Sequence, residues 1–197
     1  MFDIQGARIN TAGAYVLING LYLFTIGIKL HNGQIPVIRL GGHREENETG
    51  WQCAEREVFE EANLQIEPLL LQATYSIDWD NIEAEPSINL WQQSEQEPAP
   101  FLVITYRRDE EMTLSLMYLA YAVGIPTPSS EVKGLLLLSE SEIHRMCREP
   151  ITLKEFLKEG GKAILKDDFD TSRVLEPFAQ LRLLSRILSM PETTNAA

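Results

Sequence analysis

The chain is poor in cysteine, in basic charge and in long apolar runs, and each shortage removes a class of protein. Only Cys53 and Cys147 are present. Two thiols so far apart in sequence do not make a disulfide framework, so a reducing cytoplasm is the expected setting. Lys and Arg number 17 against 29 Asp and Glu, a formal net charge of −12. That excess argues against a nucleic-acid backbone and against an anionic membrane surface as partner. It leaves a phosphate substrate open, because metal ions can bridge acid to phosphate. No apolar run reaches about 18 residues, so no membrane-spanning helix is expected. The start, Met1-Phe2-Asp3-Ile4-Gln5, lacks the basic and apolar regions of a signal peptide. His31, His43 and His144 show no metal-ligand spacing and read as ordinary surface or core residues.

What the chain does have is acid in one place. After Gly42 come five residues and Glu48, then seven residues and the run Arg56-Glu57-Val58-Phe59-Glu60-Glu61. Thr49 and Gln52 are spaced as a capping box, which predicts a helix from residue 50. On that helix Trp51, Ala54, Val58 and Ala62 share a core-facing stripe. Glu57, Glu60 and Glu61, at i, i+3 and i+4, share an arc of roughly 100° on the opposite flank. Acidic runs on helices are usually solvated faces, and like charges at i,i+4 cost an isolated helix roughly 0.2–0.5 kcal/mol per pair. Partial burial raises that cost, since two charges about 4 Å apart interact by roughly 4 kcal/mol at an effective dielectric near 20. A hard divalent cation such as Mg²⁺ or Mn²⁺ would reverse the sign. Arg56, one turn before Glu60, offers partial relief and can orient Glu48. Six fixed residues at this spacing should arise by chance in on the order of one in a hundred thousand chains of this size.

These residues resemble the Nudix box, Gly-x5-Glu-x7-Arg-Glu-U-x-Glu-Glu-x-Gly-U, with U a bulky apolar residue. Gly42, Glu48, Arg56, Glu57, Val58, Glu60, Glu61 and Leu64 match. Asn63 stands where the family has glycine, at a site that favours a left-handed backbone, which asparagine adopts more readily than most residues. Leu40 stands where the family often has proline. The box covers about an eighth of the chain.

The element order around the box carries signals of its own. Ala14–Ile18 and Leu21–Ile26 are strand-like runs about Asn19-Gly20, a hairpin signal. A strand Ile35–Leu40 feeds Gly41-Gly42. Leu69–Ile77 reads as a strand, and 78–100 as a polar, turn-rich segment that shapes a pocket. Phe101–Arg107, Met112–Val123 and Leu135–Leu138 read as further strands. Ser139 with Glu142 and Thr152 with Glu155 are further capping boxes. At 197 residues and 44% hydrophobic, the chain can bury one good core with an appendage. The order resembles a Nudix α/β/α sandwich with a mixed sheet over residues 1–149. Residues 150–190 are expected to form a helical extension packed on it, with Pro177 in a helix first turn, and 191–197 a flexible tail. Charge in the extension is mixed, which speaks against a DNA-reading domain.

The resemblance implies metal-dependent hydrolysis of a pyrophosphate bond in a nucleoside diphosphate linked to another moiety. It implies Glu57, Glu60 and Glu61 as metal ligands, with Glu60 or Glu61 also orienting or deprotonating water. The main-chain carbonyl of Gly41 or Gly42 is a further ligand, and Glu48 and Arg56 support the others. Family members often add an acid from a loop before the last strand. Glu131 fits that place, with Glu110 and Glu111 as rivals and a solvated loop glutamate as the plain alternative. Trp79, Tyr75 or Trp91 could stack on a base, or serve only as packing aromatics. Motifs of NADH and coenzyme A pyrophosphatases are absent, as are the proline of ADP-ribose hydrolases near Asp78 and the tyrosine of dinucleoside polyphosphate hydrolases near Trp79–Asn81. A catalytically weak Nudix-fold nucleotide-binding or regulatory module is the alternative function. The resemblance and the apolar C-terminal helix also allow a homodimer.

Overall fold

In the computed structural model the described residues are 7–27, 30–91, 97–108, 111–130, 132–166 and 170–191. One mixed sheet organises them. Its strands are β1 (Arg8–Ile18), β2 (Leu21–Ile26), β3 (Ile35–Ile38), β4 (Leu40–His43), β5 (Ile66–Pro68), β6 (Thr74–Asp78), β7 (Ser87–Asn89), β8 (Leu102–Arg108), β9 (Glu111–Ala122), β10 (Gly134–Leu138), β11 (Lys162–Leu165) and β12 (Leu175–Pro177). The main path runs β11-β10-β2-β1-β9-β8-β6-β7. Strands β1 and β9 pair in parallel, as do β6 and β8, whereas β8 and β9 are antiparallel.

Alternation along the strands divides the apolar residues between two faces. Ala12, Ala14, Val16 and Leu116 lie under helix α1 (Gly50–Ala62), together with its Trp51, Ala54, Val58 and Ala62. Tyr15, Phe24, Ile104 and Met117 lie on the other face, against α2 (Glu140–Arg148), α3 (Leu153–Lys158) and α4 (Ala179–Leu188). The α/β/α layering expected from the sequence is therefore present.

Local sequence signals are realised closely. All three capping boxes form, at Thr49/Gln52, Ser139/Glu142 and Thr152/Glu155. Asn63 ends α1 in the left-handed region at φ 54°, its N–H donating to Phe59 O at 2.9 Å. The Asn19-Gly20 turn joins β1 to β2, with Ile18 opposite Leu21.

Three boundaries differ. The stretch read as a strand over 69–77 is strand only from Thr74, where β6 begins and pairs with β7 and β8; β5 ends at Pro68, before that stretch, and pairs with β9. Strand Ile35–Leu40 breaks at Arg39, and Leu40 begins a new strand that pairs with β1. The segment after Pro150 is not wholly helical: it adds β11 antiparallel to β10 and β12 parallel to β3. Pro177 ends β12, and α4 begins two residues later with Phe178 as its N-cap. Proline at a strand end is tolerated because its missing N–H needs no ladder partner there.

Leu181, Leu184 and Ile187 of α4 are buried in the same cluster as Phe24 and Ile104. Leu184→Ala should therefore cost about 2–5 kcal/mol. Urea denaturation should show one transition at lower midpoint; a separate early transition with the rest unchanged would show that α4 folds apart from the sheet.

Candidate active site

The site is built where β4 meets the acidic flank of α1. Gly41 and Gly42 lie opposite Gly13 and Ala12 in the β1–β4 ladder. Glycine is required at Gly41, and at Gly42 a side chain would displace the Glu57 carboxylate. A Cβ on Gly42 would stand 2.3 Å from a carboxylate oxygen of Glu57, and one on Gly41 would stand 1.9 Å from Nη1 of Arg39. Gly41 also has φ 136°, outside the usual range of L side chains. Its N–H donates to Oε2 of Glu61 at 2.8 Å.

Arg56 gathers the other acids. Its Nε and Nη2 donate to the two oxygens of Glu48 at 2.7 and 3.2 Å, a two-point grip. Its Nη1 donates to Glu57 at 2.8 Å and to Glu60 at 2.9 Å. Nη2 also reaches the His43 carbonyl at 3.0 Å, tying α1 to β4. The bond to Glu48, above all, holds the Arg56 guanidinium in its charged form, with Glu57 and Glu60 adding to it. In return Arg56 pulls the Glu48 carboxyl below its ordinary value of 4.5. The loop into the helix is secured by Arg44, whose Nη1 donates to the Glu48 carbonyl at 2.6 Å. Cys53 is buried beside this network, and burial pushes its thiol up to about 11, so it stays neutral.

Five of the residues singled out in the sequence (Glu48, Arg56, Glu57, Glu60 and Glu61) thus come together about Gly41 and Gly42. The acids do not yet form a cage. Among the described residues, no three His, Cys, Asp or Glu side chains converge closely enough to hold a metal ion. Glu57 and Glu60 turn to Arg56, and Glu61 to the Gly41 N–H. Their hard oxygen donors nonetheless suit Mg²⁺ or Mn²⁺, and Gly42 is the recess that brings main chain and Glu57 together. Glu131 and Glu110 lie outside the described residues. Glu111 is exposed at the start of β9.

The aromatic candidates separate. Tyr75, half-buried against the core, packs edge-on against Phe101 at 5.3 Å, which speaks for packing. Trp91 is half-buried beside the α1 cluster. Trp79 is 39% exposed and stacks on Tyr106 at 5.1 Å, with the ring planes 28° apart. Its loop is held from the C-terminal helix: Arg186 donates to the carbonyls of Ile82, Glu83 and Ala84.

Three contributors escaped sequence reasoning. Arg39 is buried behind the glycines, a lone charge in an apolar run that could have been noticed. Tyr106 carried only the signal of an aromatic in a strand. Glu97 accepts from the Trp51 N–H at 3.1 Å and from the Tyr118 hydroxyl, anchoring the start of α1 from 46 residues away. No local pattern announces such a contact.

No protein-family model matches the chain, and no curated protein matches it. Solved structures do. A NUDIX hydrolase from Nitrosomonas europaea is 18% identical with a TM-score of 0.43, the match covering 68% of this chain and 60% of that one. A NUDIX-family hydrolase from Clostridium perfringens is 21% identical with a TM-score of 0.46, over 69% and 83% of the two chains. An Ap4A hydrolase from C. elegans is 14% identical with a TM-score of 0.45, over 70% and 84%. All three TM-scores lie below 0.5, so the site is read from its own geometry.

The Glu48–Arg56 grip has a pH signature. Because the folded carboxyl titrates below 4.5, its contribution is full above that value and is lost as pH falls through the depressed folded value. Glu48→Gln should lower stability by about 1–2 kcal/mol at pH 7. The gap to the unaltered protein should close toward pH 3; a gap of equal size at both pH values would show that the charge is not its source. The box residues, with Asn63 in the place of glycine, gather beside the Gly41–Gly42 pair, and the solved structures described above carry the names of NUDIX hydrolases and an Ap4A hydrolase.

Proposed function

We propose that the protein hydrolyses a pyrophosphate bond in a nucleoside diphosphate linked to another moiety, with Mg²⁺ or Mn²⁺ as cofactor. The observation that supports this reading most is the gathering of Glu48, Glu57, Glu60 and Glu61 around Arg56 and the Gly41–Gly42 turn. Glu57, Glu60 and Glu61 would hold the ion together with the main-chain carbonyl of Gly41 or Gly42. Bound there, the ion would neutralise the bridging oxygens and lower the pKa of water.

The chain's own residues divide the remaining work. Arg56 keeps the acids pre-gathered, and Glu48 fixes the angle of Arg56. Glu61 is held at the turn by the Gly41 N–H, whereas Glu60 is 47% exposed and the readier of the two to swing toward water or metal. Either can serve as the base. The exposed face of Trp79, backed by Tyr106, would stack on the nucleobase, with Tyr75 a packing residue behind it. The acidic chain suits a small-molecule partner better than nucleic acid or membrane, and it works in a reducing cytoplasm, alone or as a homodimer.

A second reading is favoured by one observation: Glu57 and Glu60 are bonded to Arg56 and not to one another's open space. A module that keeps this arrangement would bind a nucleotide without efficient turnover. A panel of nucleoside diphosphate derivatives with Mg²⁺ or Mn²⁺ separates the two. At least one should be cleaved, and Glu60→Gln or Glu61→Gln should slow cleavage by about 10²–10⁴-fold with the fold intact by circular dichroism. Nucleotide binding with no cleavage of any member would favour the module; full rate in both variants would remove the glutamates from the chemistry.

A further inference from the structure

Among the described residues Arg39 alone is both charged and buried, and its burial behind the glutamates demands a reason. Its side chain is only 7% exposed. Buried cations are rare unless something offsets the loss of water. Two main-chain carbonyls do part of this: Nη1 donates to Ala12 O at 3.2 Å and to Leu40 O at 3.3 Å. Burial still lowers the guanidinium below arginine's ordinary range, and the opposing influences are led by Glu61, with Tyr15, Cys53 and Glu57 after it.

The ladder explains how a residue behind the sheet can feel acids on its far side. Gly13 and Gly41 are paired across β1 and β4. Neither has a side chain, and a Cβ on Gly13 would stand 2.5 Å from Nη1 of Arg39, as one on Gly41 would stand at 1.9 Å. The guanidinium occupies the space that both leave open. On the next rung, where Ala12 pairs with Gly42, the missing side chain is on the opposite face, and there Glu57 closes in. Cation and carboxylate therefore approach the same glycine pair of β4 from its two faces, and the Gly41 N–H joins Glu61 at its edge.

We propose that Arg39 is a positioning residue that acts as the fixed counter-charge of the glutamate cluster, limiting through the glycine pair how tightly Glu57 and Glu61 hold a divalent cation. Arg56 neutralises the cluster from the solvent side but must yield Glu57 and Glu60 when an ion enters. Arg39 sits in backbone bonds and stays. A cluster with a permanent positive charge behind it binds a dication more weakly than the same acids alone, and a site that must release its products benefits from that restraint. The plain alternative is that Arg39 is a plug, filling the hole left by two glycines. A neutral side chain of similar length would then do as well.

The inference rests on the proposed cation site, and titration of Mn²⁺ alone, by calorimetry or by the electron spin resonance of the free ion, tests both. The unaltered protein should bind Mn²⁺; if it does not, the metal reading fails and this one with it. Arg39→Met should bind Mn²⁺ at least threefold more tightly, and Arg39→Lys, which keeps the charge, should stay within twofold of the unaltered protein. Should Arg39→Met not fold, Arg39→Gln is held to the same threshold. Equal or weaker Mn²⁺ binding in the folded neutral variant, with binding intact in the unaltered protein, overturns the proposal and leaves Arg39 a plug.

Discussion

Arg56 is the interaction on which the site depends. Without it, Glu48, Glu57 and Glu60 would gather beside a helix flank that also carries Glu61 with no cation between their like charges. One guanidinium joins three carboxylates and a main-chain carbonyl, so the acids arrive together. Lysine could not do this, because a single ammonium lacks the planar fork that takes Glu48 at two points. The same contact sets the approach of α1 to β4, since Nη2 reaches His43 across the gap. Chemistry and packing share one residue here.

The glycine turn is the second constraint, and it follows from the first. Acids held on α1 can reach main chain only where the opposing strand has no side chain. Gly42 meets this need on the helix side and Gly41 on the other. Leu40, in place of the family's usual proline, adds an N–H and a buried apolar side chain, and its ladder position opposite Ala14 keeps β4 in register with β1. The departure thus leaves the turn intact. Asn63 does the same at the far end of the helix, where its left-handed backbone ends α1 as glycine would.

What could be read from the sequence was what lies within one turn of chain. Capping boxes, the Asn-Gly hairpin, the buried stripe of α1 and the arc of glutamates all depend on neighbours three or four residues apart, and all are realised. The helix flank therefore came out residue by residue. Contacts across long separations did not. Glu97 at the start of α1, Tyr106 beneath Trp79 and Arg39 behind Gly41 depend on strand register, which no local pattern specifies. The strands β11 and β12 escaped for a related reason. They are short, lie between helices, and owe their conformation to β10 and β3, which offer open edges. Tyr75 and Trp79 looked alike as sequence; only the placement of Phe101 and Tyr106 assigns one to the core and the other to the surface.

The C-terminal segment ties these parts to one another. Helix α4 closes the core opposite α1, and from it Arg186 reaches three carbonyls of the loop that follows Trp79. A loop of this polar composition has few apolar contacts with which to hold a shape, so its conformation is set by bonds to something rigid. Arg186 supplies them from a helix buried by Leu181, Leu184 and Ile187. The exposed indole is therefore held from residues a hundred positions away, on the face of the sheet that Arg39 also occupies, and the charge of Arg39 reaches Tyr106 as well as Glu61. The sheet thus divides the two features: the glutamates of α1 lie on one face, and the Trp79–Tyr106 stack at β8 on the other, with Arg39.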